Sequence, residues 1–278
     1  MLPSVTIFEH VEHQSLRRDG VRKSAALLIH GFPGTPAEMR PYADLLGDMG
    51  WTVSAPLLPG FGADLENLPK TSYQDWLRVT RIELHNLRAQ HDHIIVIGNS
   101  MGGALATRLA AENTIDGLIL LAPFWKLQGI VWPLIPVLRH LLPSFRPFRL
   151  FRPDFSDPNT QEAIRKFMPD IDLSDPQVQK SILNFAIPMR IIAQIRIAGM
   201  KAHEASAYVK CPTLVFQGSR DDLVKPQITR RFVRNFRGPL QYIELDGAHE
   251  LHQPDAPFWE ELVSALQDFT KRSEYEGL

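Results

Sequence analysis

The chain has 278 residues, of which 44% are hydrophobic and 22% are charged, a composition that is typical of globular proteins and excludes disordered or collagen-like chains. Thirty basic and 31 acidic side chains leave a formal charge of −1, so the overall charge does not attract nucleic acid or an anionic membrane. We therefore expect a small, neutral partner molecule and no nucleic acid.

The cysteine content and the apolar segments bear on cellular location. A single cysteine, Cys211, excludes an internal disulfide, and the residues after Met1 lack the basic segment and apolar run of a secretory signal. The longest apolar region, residues 118–142, approaches the roughly 20 residues that span a bilayer. Because prolines and charged residues interrupt it, we expect a buried strand followed by short apolar helices. The sequence thus predicts a cytoplasmic protein without a transmembrane segment.

The first half of the chain alternates short apolar runs with segments of helical period. The alternation of Val5, Ile7 and Val11 is compatible with antiparallel edge strands near the start. Continuous apolar strands favour a mostly parallel sheet covered by helices on both faces, so the predicted fold class is α/β. The predicted elements are strands at 25–30, 51–55, 94–97 and 117–121, and helices at 36–49, from Thr71 or Ser72 to about 90, and 100–112.

The alternation stops between residue 124 and about residue 208, where prolines are dense, aromatic residues cluster and no convincing strand pattern appears. It returns with predicted strands at 213–217 and 241–245 and predicted helices at 226–236 and about 257–272. We therefore predict one core, formed by residues 1–123 and 209–278, with a helical cap or lid inserted at 124–208.

The segment G-N-S-M-G at residues 98–102 matches the pattern G-x-S-x-G and stands between a predicted strand and a predicted helix. A nucleophilic serine in this context occupies a sharp bend, so that its hydroxyl projects from the edge of the sheet. The flanking glycines leave room for the tight backbone. Ser100 is therefore the predicted nucleophile.

The segment H-G-F-P-G at residues 30–34 follows the first clear strand, where hydrolases with this serine motif place a loop that faces the developing oxyanion. The predicted donors are the backbone N–H groups of Phe32 and Met101. Taken alone, the segment is better explained as an ordinary glycine and proline turn after a strand. His30 is expected to brace this loop.

Two aspartates, Asp221 and Asp222, follow the predicted strand at 213–217, and one of them is expected to orient the catalytic base. We favour Asp221, while the other aspartate would cap the turn or the next helix. The predicted base is His249, on a glycine-containing loop after the last strand, with His252 as the alternative. H-E-L-H at 249–252 is not a zinc motif, and we predict no metal site.

Four ordered segments resemble the carboxylesterase and monoacylglycerol lipase branch of the α/β-hydrolase superfamily: L-I-H-G-F-P-G at 28–34, P-G-F-G at 59–62, G-N-S-M-G-G at 98–103 and D-G-A-H at 246–249. The segment S-Y-Q-D-W-L at 72–77 is similar to one in bacterial members of that branch. The resemblance covers about residues 25–123 and 212–249. It departs from the family at Phe61, where members often carry histidine, so any polar role of that histidine is absent.

The resemblance implies a serine hydrolase that cleaves medium-chain acyl esters or monoacylglycerol-like substrates through an acyl-enzyme, without a cofactor. Residues 124–208 would then cover the acyl pocket, with Trp132 and Leu134 as candidate contacts and transient contact with a lipid surface. For any single apolar residue of this segment, such as Trp132 or Phe185, ordinary core packing is the better interpretation. The alternatives are a lysophospholipid, a lactone or a C–C bond as substrate, and a non-catalytic ligand-binding scaffold.

Overall fold

The protein is described by a computed structural model at residues 10–129, 131–146, 148–149, 152–158, 160–161, 164 and 172–275. Val5 and Ile7, which favour edge strands, lie outside these residues. The described strands are β1 (Leu16–Arg18), β2 (Ser24–Ile29), β3 (Thr52–Ala55), β4 (His93–Asn99), β5 (Gly117–Leu121), β6 (Ser144–Phe145), β7 (Ile187–Pro188), β8 (Thr213–Gly218) and β9 (Leu240–Leu245). The described α-helices are α1 (Arg40–Asp48), α2 (Tyr73–Arg88), α3 (Met101–Glu112), α4 (Val131–Leu141), α5 (Pro176–Asn184), α6 (Met189–Ala205), α7 (Pro226–Val233) and α8 (Trp259–Tyr275).

A seven-stranded sheet forms the centre of the fold, in the order β1-β3-β2-β4-β5-β8-β9. Only β1 runs antiparallel to its neighbour, and every other pair is parallel. The carboxyl ends of β4, β8 and β9 therefore meet at one edge of the sheet, which is where open α/β sheets place their sites. The predicted α/β class is confirmed.

Side chains on successive positions of the central strands enter two different apolar layers, as the pleat of a strand requires. Leu27 and Val96 pack in one layer with α2, α3 and α6, whereas Leu28 and Ile97 pack in the other with α1 and α8. Burial on both faces explains why these strands read as continuous apolar runs instead of alternating with polar residues.

Element boundaries differ from the sequence prediction at several helix ends. The predicted helix at 36–49 begins as a 3-10 turn over Pro36–Met39, whose first turn is capped by Thr35, and becomes α-helical in α1. A further 3-10 segment, Gly62–Lys70, was not predicted. α7 ends at Val233 and α8 begins at Trp259, each a few residues inside the predicted range.

The segment between β5 and β8, which we call the insertion (residues 124–208), contains α4, α5 and α6. The sequence shows no convincing strand pattern here, and the structure adds one short antiparallel ladder between β6 and β7, whose two residues each are too few to leave a periodic pattern. The expected buried strand followed by a short apolar helix is confirmed by β5 and α4, although α4 itself continues past Pro133 in its first turn and Pro136 in its interior.

Helix α6 fixes one end of the insertion on the core. The Arg190 guanidinium donates hydrogen bonds to the carbonyl oxygens of Pro69 and Thr71, at 2.6 and 2.5 Å. The Gln194 side-chain oxygen accepts from the backbone N–H of Tyr73, the first residue of α2, at 3.0 Å. Among the helices of the described residues, none has both the length and the apolar character needed to cross a membrane.

Candidate active site

Ser100 occupies the bend between β4 and α3 with φ 49° and ψ −113°, a positive-φ conformation that side-chain-bearing residues rarely adopt. The flanking glycines are required by close backbone contact. A Cβ on Gly98 would lie 2.5 Å from the Gly102 carbonyl oxygen, and one on Gly102 would lie 2.1 Å from the Ile29 carbonyl oxygen. The segment G-N-S-M-G therefore has the geometry of a nucleophile elbow.

The imidazole of His249 lies between Ser100 and Asp221. Its Nε2 atom is 3.0 Å from Ser100 Oγ, and its Nδ1 atom is 2.7 Å from Asp221 Oδ2. Because a carboxylate only accepts hydrogen bonds, the proton of the neutral ring sits on Nδ1. The Nε2 atom then carries the lone pair that accepts the serine hydroxyl proton.

The two predicted acid candidates have different surroundings. Asp221 is 2% exposed and accepts the backbone N–H groups of Leu223 and Val224 on Oδ1, at 2.9 and 2.8 Å. Asp222 is exposed on the same loop. The structure thus brings Asp221, and not Asp222, to the histidine.

One close contact brings the loop of His249 to the loop of Asp221, and one hydrogen bond ties the loop of His249 to α1. The Gly218 Cα lies so close to Ala248 that an added Cβ would be 1.9 Å from the Ala248 carbonyl oxygen. The buried Tyr42 hydroxyl donates to the Leu251 carbonyl oxygen at 2.6 Å, and burial raises the pKa of Tyr42, with a further contribution from Glu38. His252 makes no hydrogen bond to Ser100 or Asp221 within the described ranges.

The loop that follows β2 is held by His30, as expected from the sequence. Its Nδ1 donates to the Gly31 carbonyl oxygen at 2.9 Å, and its Nε2 accepts the Leu58 N–H at 3.1 Å. Burial lowers the pKa of His30, which favours the neutral ring that this pair of bonds needs. Since the peptide unit is planar, fixing the Gly31 carbonyl also fixes the direction of the Phe32 N–H.

Glu38 is a residue that the sequence analysis missed. Its Oε1 atom accepts the backbone N–H of Gly31 and the side-chain N–H of Asn99, the latter at 3.0 Å. It thereby joins the loop after β2 to the serine elbow. A Cβ on Gly31 would lie 3.2 Å from the Ser100 Cβ, so this loop passes directly over the serine. No sequence signal identifies Glu38, because a glutamate in the first turn of a helix is common.

The backbone N–H groups of Phe32 and Met101 lie on the two segments that meet at Ser100. Neither donates to a protein acceptor in the part of the chain that the structure describes. Met101 is the first residue of α3, and N–H groups of a first helical turn have no acceptor within the helix. Both groups remain available to a negatively charged oxygen.

The candidate lid residues differ in exposure. Trp132 is half-buried, and its ring contacts the Phe124 ring edge-to-face at 5.5 Å between centroids. Phe124 in turn donates its backbone N–H to the Ser100 carbonyl oxygen at 3.0 Å, so Phe124 contacts both Trp132 and the backbone of the elbow. Leu134 is 51% exposed. No group of histidine, cysteine and acidic side chains that could hold a metal ion occurs among the described residues.

Comparisons with known proteins identify the family of the chain. The family model described as serine aminopeptidase, S33, matches residues 21–253. The chain is 40% identical over 87 residues to a thermostable monoacylglycerol lipase from Bacillus sp. strain H-257, and 31% identical over 96 residues to a carboxylesterase from Bacillus subtilis. These matches cover 31% and 34% of the chain, and only 35% and 39% of the two relatives.

The structure of a monoacylglycerol lipase from Paleococcus ferrophilus is similar over 93% of this chain and 98% of that protein, with a TM-score of 0.69 and 18% sequence identity. At that identity the likeness establishes the fold. The family model covers most of the chain, from before β2 to beyond His249. The chain therefore belongs to the Hydrolase_4 family of α/β hydrolases, described as serine aminopeptidase, S33.

Proposed function

We propose that this protein hydrolyses carboxylic esters through an acyl-enzyme on Ser100. The observation that carries the proposal is the continuous series of hydrogen bonds from Asp221 through His249 to Ser100, at 2.7 and 3.0 Å. In that arrangement His249 Nε2 takes the proton as Ser100 Oγ attacks the ester carbonyl, and returns it to the leaving alcohol. Water then attacks the acyl-enzyme by the same route and releases the acid.

The proposed oxyanion donors are the N–H groups of Phe32 and Met101. Each stabilises a negative charge that exists only in the transition state, and losing one such donor typically costs about 3 kcal/mol. The support is that both groups are without a protein acceptor in the described ranges and that the loop of Phe32 passes over the serine. The positive end of α3 adds to the stabilisation.

The proposed substrates are medium-chain acyl esters, including monoacylglycerols, with the insertion as a lid over the acyl chain. The half-buried Trp132 ring and its contact with Phe124 support an apolar lining next to the elbow. Each additional buried CH₂ of an acyl chain adds up to about 0.8 kcal/mol of binding. The proposal thus predicts a preference that rises with chain length.

The outer face of α4 is the proposed contact with a lipid surface. Leu134, Val137 and Leu141 are 51%, 59% and 70% exposed and recur at helical spacing. Arg139, in the last turn of α4, and Arg146, after β6, are also exposed. An exposed apolar stripe on a segment that also carries exposed basic residues fits an interface of lipid headgroups and acyl chains.

The test of the chemistry is labelling with a fluorophosphonate, followed by kinetics on p-nitrophenyl esters of graded length, on monoacylglycerols and on an aminoacyl p-nitroanilide. The anilide is included because the family description names an aminopeptidase. Ser100→Ala should lose labelling and ester hydrolysis while its circular dichroism spectrum stays that of the wild type. Labelling that persists in this variant, or cleavage of the anilide alone, would overturn the proposal.

The test of the lipid contact compares a monoacylglycerol below and above its aggregation concentration. Val137→Glu should lower hydrolysis of the aggregated substrate and leave hydrolysis of p-nitrophenyl acetate unchanged. Val21→Glu is the matched control, because Val21 is 96% exposed. It precedes the amino end of β2, whereas the site lies at the carboxyl ends of the parallel strands. Equal losses in the two variants would contradict the proposed surface. We also propose a cytoplasmic location, which cell fractionation tests.

A further inference from the structure

Gln217 is a fully buried amide next to the site, on β8. A buried amide is costly unless its polar atoms are paired. Its Nε2 atom lies 2.9 Å from Asp221 Oδ2, 3.0 Å from the Val224 carbonyl oxygen and 3.2 Å from the Gly218 carbonyl oxygen. Its Oε1 atom accepts the Thr229 hydroxyl at 2.5 Å. Every polar atom of the amide is therefore paired.

These partners determine which way the amide faces. Carbonyl oxygens accept and never donate, so the NH₂ group must point toward Val224 and Gly218, and therefore also toward Asp221. Reversing the amide would place its oxygen against three oxygen atoms. The Thr229 hydroxyl, on α7 and itself fully buried, secures the opposite end. Gln217 thus presents a fixed N–H donor to the carboxylate.

The same atom of Asp221 receives two donors. Oδ2 accepts from Gln217 Nε2 at 2.9 Å and from His249 Nδ1 at 2.7 Å, while Oδ1 accepts two backbone N–H groups. Four donors on two oxygens hold the carboxylate in one orientation. The neutral donor also draws electron density away from the bond to His249, so it moderates how strongly Asp221 stabilises the imidazolium.

We infer that Gln217, itself held by Thr229, is a positioning residue that sets both the orientation and the basicity of the Asp221–His249 pair. The inference rests on the proposed function for its kinetic consequences, but not for its effect on His249. Loss of the donor should leave Asp221 a stronger acceptor toward His249 and less firmly oriented. His249 should then bind its proton at higher pH, and the carboxylate should hold the ring less well during turnover.

The experiment measures kcat, KM and the acid limb of kcat/KM in four variants. Gln217→Met, which keeps the length of the side chain without its polar atoms, should lower kcat about tenfold or more and leave KM unchanged. Its acid limb should move upward by about half a pH unit or more. Thr229→Val should move both quantities in the same direction by less, and Thr229→Ser, which restores the hydroxyl, should return both toward the wild type.

Thr270→Val is the matched control. Thr270 is also fully buried and helical, but its hydroxyl donates to the Gln267 carbonyl oxygen within α8. A lower melting temperature with wild-type kcat and an unmoved acid limb in Gln217→Met and Thr229→Val would show that the network only stabilises the core. If Gln217→Met does not fold, the two Thr229 variants decide the outcome by the same criteria.

A titration of His249 by NMR separates failure of this inference from failure of the proposed function. If the wild type hydrolyses no ester in the panel, the proposed function is wrong. The pH midpoint of the His249 ring signals in the wild type and in Thr229→Val still tests the inference. An upward shift of that midpoint in the variant supports it, and identical midpoints overturn it.

Discussion

Replacing Asp221 with asparagine should remove most of the activity for a reason that the hydrogen bonds specify. Asp221 Oδ1 accepts the N–H groups of Leu223 and Val224, so the asparagine carbonyl must take that position. The new NH₂ group then replaces Oδ2 and faces two former donors, Gln217 Nε2 and His249 Nδ1. It can donate only to Nδ1, which forces the histidine proton onto Nε2.

A histidine with its proton on Nε2 cannot accept the proton of Ser100. The loss of the correct tautomer lowers kcat by roughly 10⁴ in the serine protease triad, which corresponds to about 5 kcal/mol of transition-state stabilisation. We expect a loss of that order in Asp221→Asn. Asp222→Asn changes an exposed side chain, so its stability should lie within about 0.5 kcal/mol of the wild type and its kcat should be nearly unchanged.

The assay is kcat on a p-nitrophenyl ester, together with thermal unfolding and fluorophosphonate labelling of both variants. Folded Asp221→Asn with kcat within tenfold of Asp222→Asn would refute the reasoning, because the tautomer would then be held by another group. A larger loss in Asp222→Asn would show that the wrong aspartate has been assigned.

Three further outcomes follow from the site and its supports. Glu38→Ala should lower kcat, because it leaves the Gly31 N–H unpaired, whereas kcat of Glu38→Gln, whose side-chain oxygen still accepts, should stay within a few-fold of the wild type. Equal losses in the two variants would show that the negative charge of Glu38, and not its hydrogen bonds, supports kcat. Burial lowers the pKa of His30 below 6.5, so the histidine binds its proton at higher pH in the unfolded chain than in the folded one, and the free energy of unfolding should fall as the pH drops through 6.5. Urea titrations from pH 8 to 5 should show a shallower fall in His30→Gln than in the wild type, and the two slopes should differ by at most about 1.4 kcal/mol per pH unit. Trp132→Ala should reduce kcat/KM for medium-chain esters more than for acetyl esters, and Leu134→Ala, at an exposed position, should have the smaller effect on monomeric esters. Matching chain-length profiles for the wild type and Trp132→Ala would contradict the proposal that the insertion is an acyl-binding lid.

The sequence alone predicts the parts of this protein that depend on local pattern. The buried parallel strands appear as apolar runs, and the strained bend at Ser100 requires glycines that the motif displays. The order of the predicted serine, aspartate and histidine, each after a strand, follows from the same pattern. The two-residue strands β6 and β7 escape it, because they contain too few residues for a period to register. The 3-10 segment Gly62–Lys70 escapes it because its turns repeat every 3.0 residues and do not follow the α-helical period of 3.6.

The tertiary structure alone decides which side chains meet across the sheet edge. Asp221 and Asp222 are indistinguishable by residue type, and their burial separates them only because the loop turns one inward beneath His249. Glu38, Gln217 and Thr229 carry no motif. Glu38 pairs with Asn99 across 61 positions of the chain, whereas Gln217 lies 4 positions from Asp221 and Thr229 lies 12 positions from Gln217. A hydrogen bond is satisfied by any suitably placed donor and acceptor, so its partners are fixed by the packing of strands and helices and leave no spacing to read in the sequence.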